Sequence, residues 1–181
     1  MVILKEQLTW RAPRRGAVRR AARGFTAVEL MVVVAIVAIL ASLAAPSFKY
    51  LVERWRVRDA VEAMTTTLYL ARSEAVKRGG DVVVAQGTDG ACETGEWRCG
   101  WTVSSGSGGD IQSFSVHPNL NVTSKSAQTE LQFDRWGAFD EGQAGFTISP
   151  APAGAASSAT MTLCVSNGGR IETKQGDQQC S

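Results

Sequence analysis

The chain has 181 residues, 44% hydrophobic and 20% charged, which allows one globular domain of ordinary size plus appendages. The formal net charge of +2 conceals an asymmetry, because Met1 to Gly24 holds seven basic residues and one acid, whereas the remainder holds 12 basic and 16 acidic residues. From Gly79 onward there are 5 basic and 11 acidic residues, so this part lacks the charge on which DNA affinity normally rests.

The segment after the basic leader is uniformly apolar. Leu30 to Ala45 contains no charge and only Ser42 as a polar residue. Together with Phe25 to Val28 it gives about 21 residues, enough to span roughly 30 Å of hydrocarbon. This length predicts a membrane helix, with a buried core helix as the alternative. The basic residues ahead of it predict a cytoplasmic N-terminus and a translocated remainder.

Beyond Pro46 the pattern becomes amphipathic. Arg58 to Glu62 and Glu74 to Arg78 have the spacing at which helical charges meet, and the Gly79-Gly80 pair is a helix stop signal. The spacing of apolar residues predicts that the helix continues from the membrane segment to Arg78 and lies on a core. The predicted core stripe consists of Val57, Val61, Met64, Leu68, Ala71 and Ala75.

The rest of the chain is typical of β structure. Short alternating runs are separated by Gly, Asn, Asp and Ser clusters. We expect an α+β fold in which a long N-terminal helix, half membrane and half amphipathic, packs on an antiparallel β domain. The glycine-rich stretch 105–110 follows a strand without opening a helix, so it predicts a hairpin tip and not a phosphate loop. The predicted strands are DVVVA, GWTVSS, IQSFSV, LNVTS, ELQFD, GFTIS, MTLCVS and GRIETK.

The junction RGFTAVEL resembles the class III signal of type IV pilins and type II secretion pseudopilins. The resemblance rests on a basic leader, a Gly, an aromatic residue and a Glu four residues later. It implies that a prepilin peptidase removes residues 1–24, cutting between Gly24 and Phe25, and that the new terminus is N-methylated. Residues 25–51 would then form the transmembrane and filament-core helix, and residues 52–181 a periplasmic or extracellular domain.

Glu29 is the one acid in the apolar segment, where a carboxylate is costly to desolvate. The resemblance implies that it compensates the new amino terminus of a neighbouring subunit and so sets the register of assembly. A carboxylate that merely reaches the headgroup boundary is the alternative.

Four cysteines in a translocated domain predict two disulfides, because the periplasm is oxidising. Three pairings are possible, and the sequence-local one, Cys92 with Cys99 and Cys164 with Cys180, is favoured. Zinc is disfavoured, because no pair has C-x2-C spacing and the only histidine, His117, precedes a proline.

The C-terminal two thirds resembles, more narrowly, the GspH/FimT group of minor pilins and pseudopilins. The segments that carry this resemblance are LARSEAVKRG, WRCGWTV, LQFDRWG and LCVSNGGRI. It implies a subunit that initiates or caps a pilus-type filament, with a pseudopilin of type II secretion as the alternative.

Some FimT-like proteins bind DNA through a Gly-Arg-x-Arg element. Gly169 and Arg170 match it here, but Glu172 replaces the second Arg, and Lys174 lies two residues further on. A DNA-binding minor pilin is therefore a third hypothesis, with Arg170 and Lys174 as its candidate contacts.

The sequence contains little material for catalysis, since a single histidine disfavours a nucleophilic triad. Acidic residues in turn-rich stretches, among them Asp134, Asp140 and Glu141, are typical of a solvated surface. Trp97, Trp101 and Trp136 are candidates for a binding surface, although core packing is the commoner use of such aromatics. We therefore expect no enzyme, cofactor or metal. The expected partners are other pilins, the peptidase and the inner membrane.

Overall fold

The structure is a computed structural model that describes residues 24–88, 92–106, 108–139 and 142–180, without the side chains of 44–47. Residues 1–23, which include most of the expected leader, lie outside the described part. The chain divides into two compact units between Leu43 and Ala44.

Helix α1 spans Ala27–Arg78, 52 residues. Its parts on either side of residues 44–47 are Ala27–Leu43 and Phe48–Arg78. Neither of these parts is by itself long and apolar enough to cross a membrane, and they meet the length and composition criteria only together.

The second unit contains the amphipathic part of α1. All six residues of the predicted core stripe are buried, which confirms the helical phase derived from the sequence. The helix ends as predicted, since Gly79 has a φ of 82° and the Gly80 N–H donates a 2.8 Å hydrogen bond to the Ala75 carbonyl. This bond satisfies a carbonyl that the end of the helix would otherwise leave unpaired.

In the described part of the chain eight strands follow the helix, one at each predicted run, and every pairing among them is antiparallel. They are β1 Val82–Gln86, β2 Trp101–Ser105, β3 Gly109–Phe114, β4 Leu120–Ser124, β5 Glu130–Phe133, β6 Ala144–Pro150, β7 Met161–Val165 and β8 Ile171–Gln175. The first sheet has the order β3-β2-β1-β5 and the second β4-β6-β7-β8. The glycine-rich stretch joins β2 to β3, as expected of a hairpin connection.

One hydrophobic core joins α1 to both sheets. Strand β1 contributes alternate residues, Val82 and Val84, as expected for a strand with one buried face. Strand β6 is instead buried along its whole length, because side chains on its second face are also covered.

The second face of β6 is covered by the C-terminal tail, which we define as residues 176–180. Thr147 on β6 donates a 2.9 Å hydrogen bond to the Asp177 carboxylate, and Lys125 forms an ion pair with the same carboxylate. A methyl group at Gly145 would lie 2.8 Å from Sγ of Cys180. The tail therefore crosses the outer side of the second sheet in close contact.

Two of the three candidate tryptophans belong to the core. Trp97 packs edge-on against Phe146 with ring centroids 4.9 Å apart, and Trp101 stacks on Phe114 at 4.7 Å. Trp136 is exposed. The three tryptophans therefore do not form one binding surface.

Candidate functional site

The first candidate site is the start of α1. Thr26 precedes the first helical residue, and its hydroxyl accepts a 3.2 Å hydrogen bond from the Glu29 N–H. This is the N-cap arrangement, which satisfies a donor that the helix itself cannot. This cap was not predicted from the sequence, although Thr-x-x-Glu before an apolar run is its usual signature.

Gly24 and Phe25 lie ahead of that cap, outside the helix. The Phe25 side chain is 81% exposed, and a Cβ at Gly24 would meet no atom within 4 Å. The residues on both sides of the expected cleavage bond are therefore accessible within the described chain.

The Glu29 carboxylate forms no hydrogen bond or ion pair with any residue that the structure describes. Its backbone N–H is occupied by Thr26, but its acidic group remains available to another molecule. The N-cap thus explains the backbone position of Glu29 but not the presence of its carboxylate in an apolar segment.

The apolar segment that follows is exposed on every side. All residues from Phe25 to Leu43 are exposed within the monomer, including eleven large hydrophobic side chains from Val28 to Leu43. Soluble monomers rarely leave a contiguous apolar surface of this size uncovered. A surface of this kind is typical of a segment that a bilayer or another molecule covers.

The two favoured disulfides are both formed. Cys92 is bonded to Cys99 and Cys164 to Cys180. The first closes a loop ahead of β2, and the second fixes the C-terminal tail to β7. Both lie in the unit that the resemblance places outside the cytoplasm, where disulfides persist.

The candidate DNA contacts have protein partners. The guanidinium of Arg170 lies 4.0 Å from the Glu172 carboxylate, and Nζ of Lys174 donates a 3.2 Å hydrogen bond to the Gln179 carbonyl. Arg170 is nonetheless 80% exposed at its side chain. The acid that interrupts the Gly-Arg-x-Arg element therefore sits where a phosphate bound to Arg170 would be repelled.

No group of three His, Cys, Asp or Glu residues within the described ranges is arranged to hold a metal ion. Nδ1 of His117 accepts a 3.1 Å hydrogen bond from the Asn119 N–H in a turn. The Asp134 carboxylate accepts 2.8 Å hydrogen bonds from the N–H groups of Trp136 and Ala138. These groups therefore stabilise turns. Asp140 and Glu141 lie outside the described residues.

Two family models match this chain, one over the folded domain and one over the N-terminal segment. The family model for the type II transport protein GspH matches residues 60–170, and the prokaryotic N-terminal methylation motif matches residues 19–45. The first match covers most of the buried part of α1 and all the described strands except β8. The second covers the expected cleavage site and the exposed apolar segment.

Two crystal forms of the type IV minor pilin FimU of Pseudomonas aeruginosa share the fold. Both are 23% identical to this chain, with TM-scores of 0.56 and 0.58. The alignments cover 68% and 71% of this chain and 99% and 98% of the FimU chains. They show the pilin-like α+β architecture that the sequence predicted. The match over residues 60–170, together with the methylation motif, establishes that the chain belongs to the GspH family of pilin-type structural proteins.

Proposed function

We propose that the chain is a minor pilin that joins a pilus-type filament through its N-terminal helix and helps to initiate or cap that filament. The observation that carries the proposal is the exposed apolar segment, which ends at a folded domain with a complete core of its own. Burying this segment stabilises the membrane-inserted state first and the filament afterwards, since either environment removes apolar surface from water.

Processing comes before assembly in this proposal. A prepilin peptidase cuts between Gly24 and Phe25, and the new amino terminus is methylated. Before cleavage the N-terminus lies in the cytoplasm and the domain in the periplasm, an orientation supported by the seven basic residues of the leader. The two disulfides suit that compartment.

In this proposal Glu29 sets the register between neighbouring subunits. Its carboxylate, which has no partner among the described residues, stands four residues beyond the new cationic terminus. In the apolar interior of a filament an unpaired charge is costly, so the arrangement that pairs Glu29 with the terminus of an adjacent subunit is selected over those that do not.

Incorporation into sheared surface filaments tests the proposal. Glu29→Ala should leave the protein cleaved and at normal abundance in the membrane, while its amount in filaments falls at least tenfold. Glu62→Ala is the matched control, because Glu62 is an exposed acid on the soluble part of the same helix. Normal incorporation of the Glu29→Ala protein would contradict the proposal.

The second candidate function is that of a pseudopilin in type II secretion, which the description of the matching family favours. The two functions share processing and helix packing but differ in location. A processed chain found in surface filaments supports the pilus. One found only in the cell envelope, together with loss of protein secretion on deletion, supports the pseudopilin.

A further inference from the structure

A surface of aromatic, aliphatic and arginine side chains, all exposed except the half-buried Arg72, lies beside the last turns of α1. We call it the arginine–aromatic surface. It is separate from the apolar segment that the proposed function uses. Its members are Tyr69, Arg72, Val76, Arg135, Trp136 and Arg170.

Two loops bring these residues together around Arg72. Its guanidinium donates a 3.3 Å hydrogen bond to the Gly169 carbonyl. A methyl group at Gly137 would lie 2.6 Å from Cγ of Arg72, and one at Gly169 would lie 3.2 Å from the Gly137 carbonyl oxygen. The residues next to these two glycines, Trp136 and Arg170, are therefore held beside the same part of the helix.

The three apolar members of this surface, Tyr69, Val76 and Trp136, are largely exposed and so contribute little to the core of the domain. Tyr69 and Val76, two helical turns apart on one side of α1, are 53% and 54% exposed, and Trp136 is 75% exposed. The turn that carries Trp136 is fixed by the two hydrogen bonds to the Asp134 carboxylate. A rigidly presented, exposed tryptophan flanked by arginine is the composition of a protein-interface hot spot.

The surface also gathers positive charge on a domain that is otherwise acidic. From Gly79 onward there are five basic residues, and three have partners away from this surface. The remaining two, Arg135 and Arg170, lie in the two loops that pack against the end of α1: Arg170 follows Gly169, which Arg72 contacts, and the backbone of Arg135 lies near Gly80. Arg135 forms no ion pair with any described residue, and Arg170 approaches Glu172 only at 4.0 Å. The three basic residues with other partners are Arg98 with Glu96, Lys125 with Asp177 and Lys174 with the Gln179 carbonyl.

We infer that the arginine–aromatic surface docks onto a carboxylate-rimmed apolar patch of a neighbouring pilin-type subunit. The inference rests on the proposed function, since the filament supplies that neighbour. Charge complementarity identifies the partner chemistry, because arginines on the same loops and helix turns as exposed apolar side chains favour a protein surface with acids at its rim. Nucleic acid fits less well, because the surrounding domain and Glu172 repel phosphate.

Site-specific photocrosslinking of the full chain in its own cells tests the inference. The probe is p-benzoylphenylalanine in place of Trp136, and in a second strain in place of Met31 on the apolar segment. The expected result is an adduct at position 136 whose tryptic peptides come from a pilin-type chain, either another one or a second copy. Adding Arg135→Glu and Arg170→Glu should lower its yield at least tenfold, whereas Lys174→Glu should leave it within twofold.

Adducts at position 31 but none at position 136 would overturn the docking surface and leave the proposed function standing. Adducts at neither position would contradict both. A nuclease-sensitive adduct would replace the protein partner with nucleic acid. A yield reduced equally by Lys174→Glu would contradict docking through the arginine–aromatic surface. Because Arg135 and Arg170 are exposed, the charge-reversed proteins should keep the thermal unfolding midpoint of the parent, which separates lost docking from lost folding.

Discussion

Nε1 of Trp101 donates a 3.0 Å hydrogen bond to the hydroxyl of Thr67, and both side chains are buried. The same hydroxyl donates a 2.8 Å hydrogen bond to the Ala63 carbonyl one turn earlier in α1. Through these two hydrogen bonds Thr67 connects the first sheet to the helix. The indole N–H would otherwise be a buried, unpaired donor.

Replacing Thr67 by Val keeps the shape of the side chain and removes the acceptor. We expect the free energy of unfolding to fall by about 1–3 kcal/mol, the cost of leaving a buried donor unsatisfied. Urea unfolding of the full chain in detergent measures it. Thr66→Val, one residue away on the exposed side, should change it by less than about 0.5 kcal/mol. Equal effects of the two variants would contradict the role of the hydrogen bond.

Gly100 stands where β2 begins. Its φ is 93°, and a methyl group there would lie 2.1 Å from the Phe114 carbonyl oxygen, a backbone atom that cannot rotate away. Gly100→Ala should therefore destabilise the domain by about 3 kcal/mol or more.

Gly109 is the control for this prediction, because its φ is 72° but no atom of another described residue lies within 4 Å of the added methyl. Gly109→Ala should cost only the left-handed strain, about 1–2 kcal/mol. A Gly100→Ala protein as stable as the Gly109→Ala protein in thermal unfolding would show that the close approach to Phe114 has been overestimated.

The disulfide between Cys164 and Cys180 holds the C-terminal tail across the second sheet. Replacing both cysteines by Ala should cost about 3 kcal/mol on the chain-entropy estimate, and replacing Cys92 and Cys99 about 2.5 kcal/mol. Only the first change should speed tryptic cleavage after Lys174, because only it releases the tail. Unchanged cleavage there would mean that hydrogen bonds fix the tail without the disulfide.

Asp177 predicts how the stability of the tail depends on pH. Hydrogen bonds from Lys125 and then from Thr147 hold the pKa of this carboxyl below its usual value. Since the folded-state pKa is depressed, the stabilisation is complete above the unfolded pKa of about 3.9 and is lost as pH falls through the lowered value. The carboxylate is 45% exposed, so solvent screening limits the contribution to about 1 kcal/mol or less.

Asp177→Asn should therefore lower the unfolding free energy at pH 7 and have a progressively smaller effect below pH about 3.9. Denaturant titrations at pH 7, 5 and 3 measure this dependence. Asp110→Asn, at an exposed acid on β3, provides the control. A difference between Asp177→Asn and the parent protein that does not shrink in acid would contradict the assigned cause.

Local sequence patterns were sufficient for the secondary structure. The three- and four-residue spacing of the core stripe around Met64 predicted the buried side of α1. The alternation of apolar and polar residues, as in the strand that begins at Trp101, predicted the positions of the strands. One of the two predicted helical ion pairs formed, between Glu74 and Arg78 at 2.9 Å. Arg58 and Glu62 have the same spacing but form no ion pair with each other, because exposed charges gain little from pairing in water.

The division of the strands between two sheets could not be derived in this way. Strand β5 pairs with β1, so that Leu131 faces Val84 across a long stretch of intervening chain. Such pairings depend on how the whole core packs, and alternation within a single strand carries no information about its partner. The arginine–aromatic surface was missed for the same reason, since Arg72 and the Gly169 carbonyl that it contacts are 97 residues apart along the chain.

The proposed function requires that a processed form of this chain is a filament subunit. Mass spectrometry of sheared surface filaments can detect that form, by searching for the peptide that begins at Phe25 with an N-methyl group together with peptides from the β domain. Both should be present. A mature protein that is uncut between Gly24 and Phe25 would contradict the proposed function.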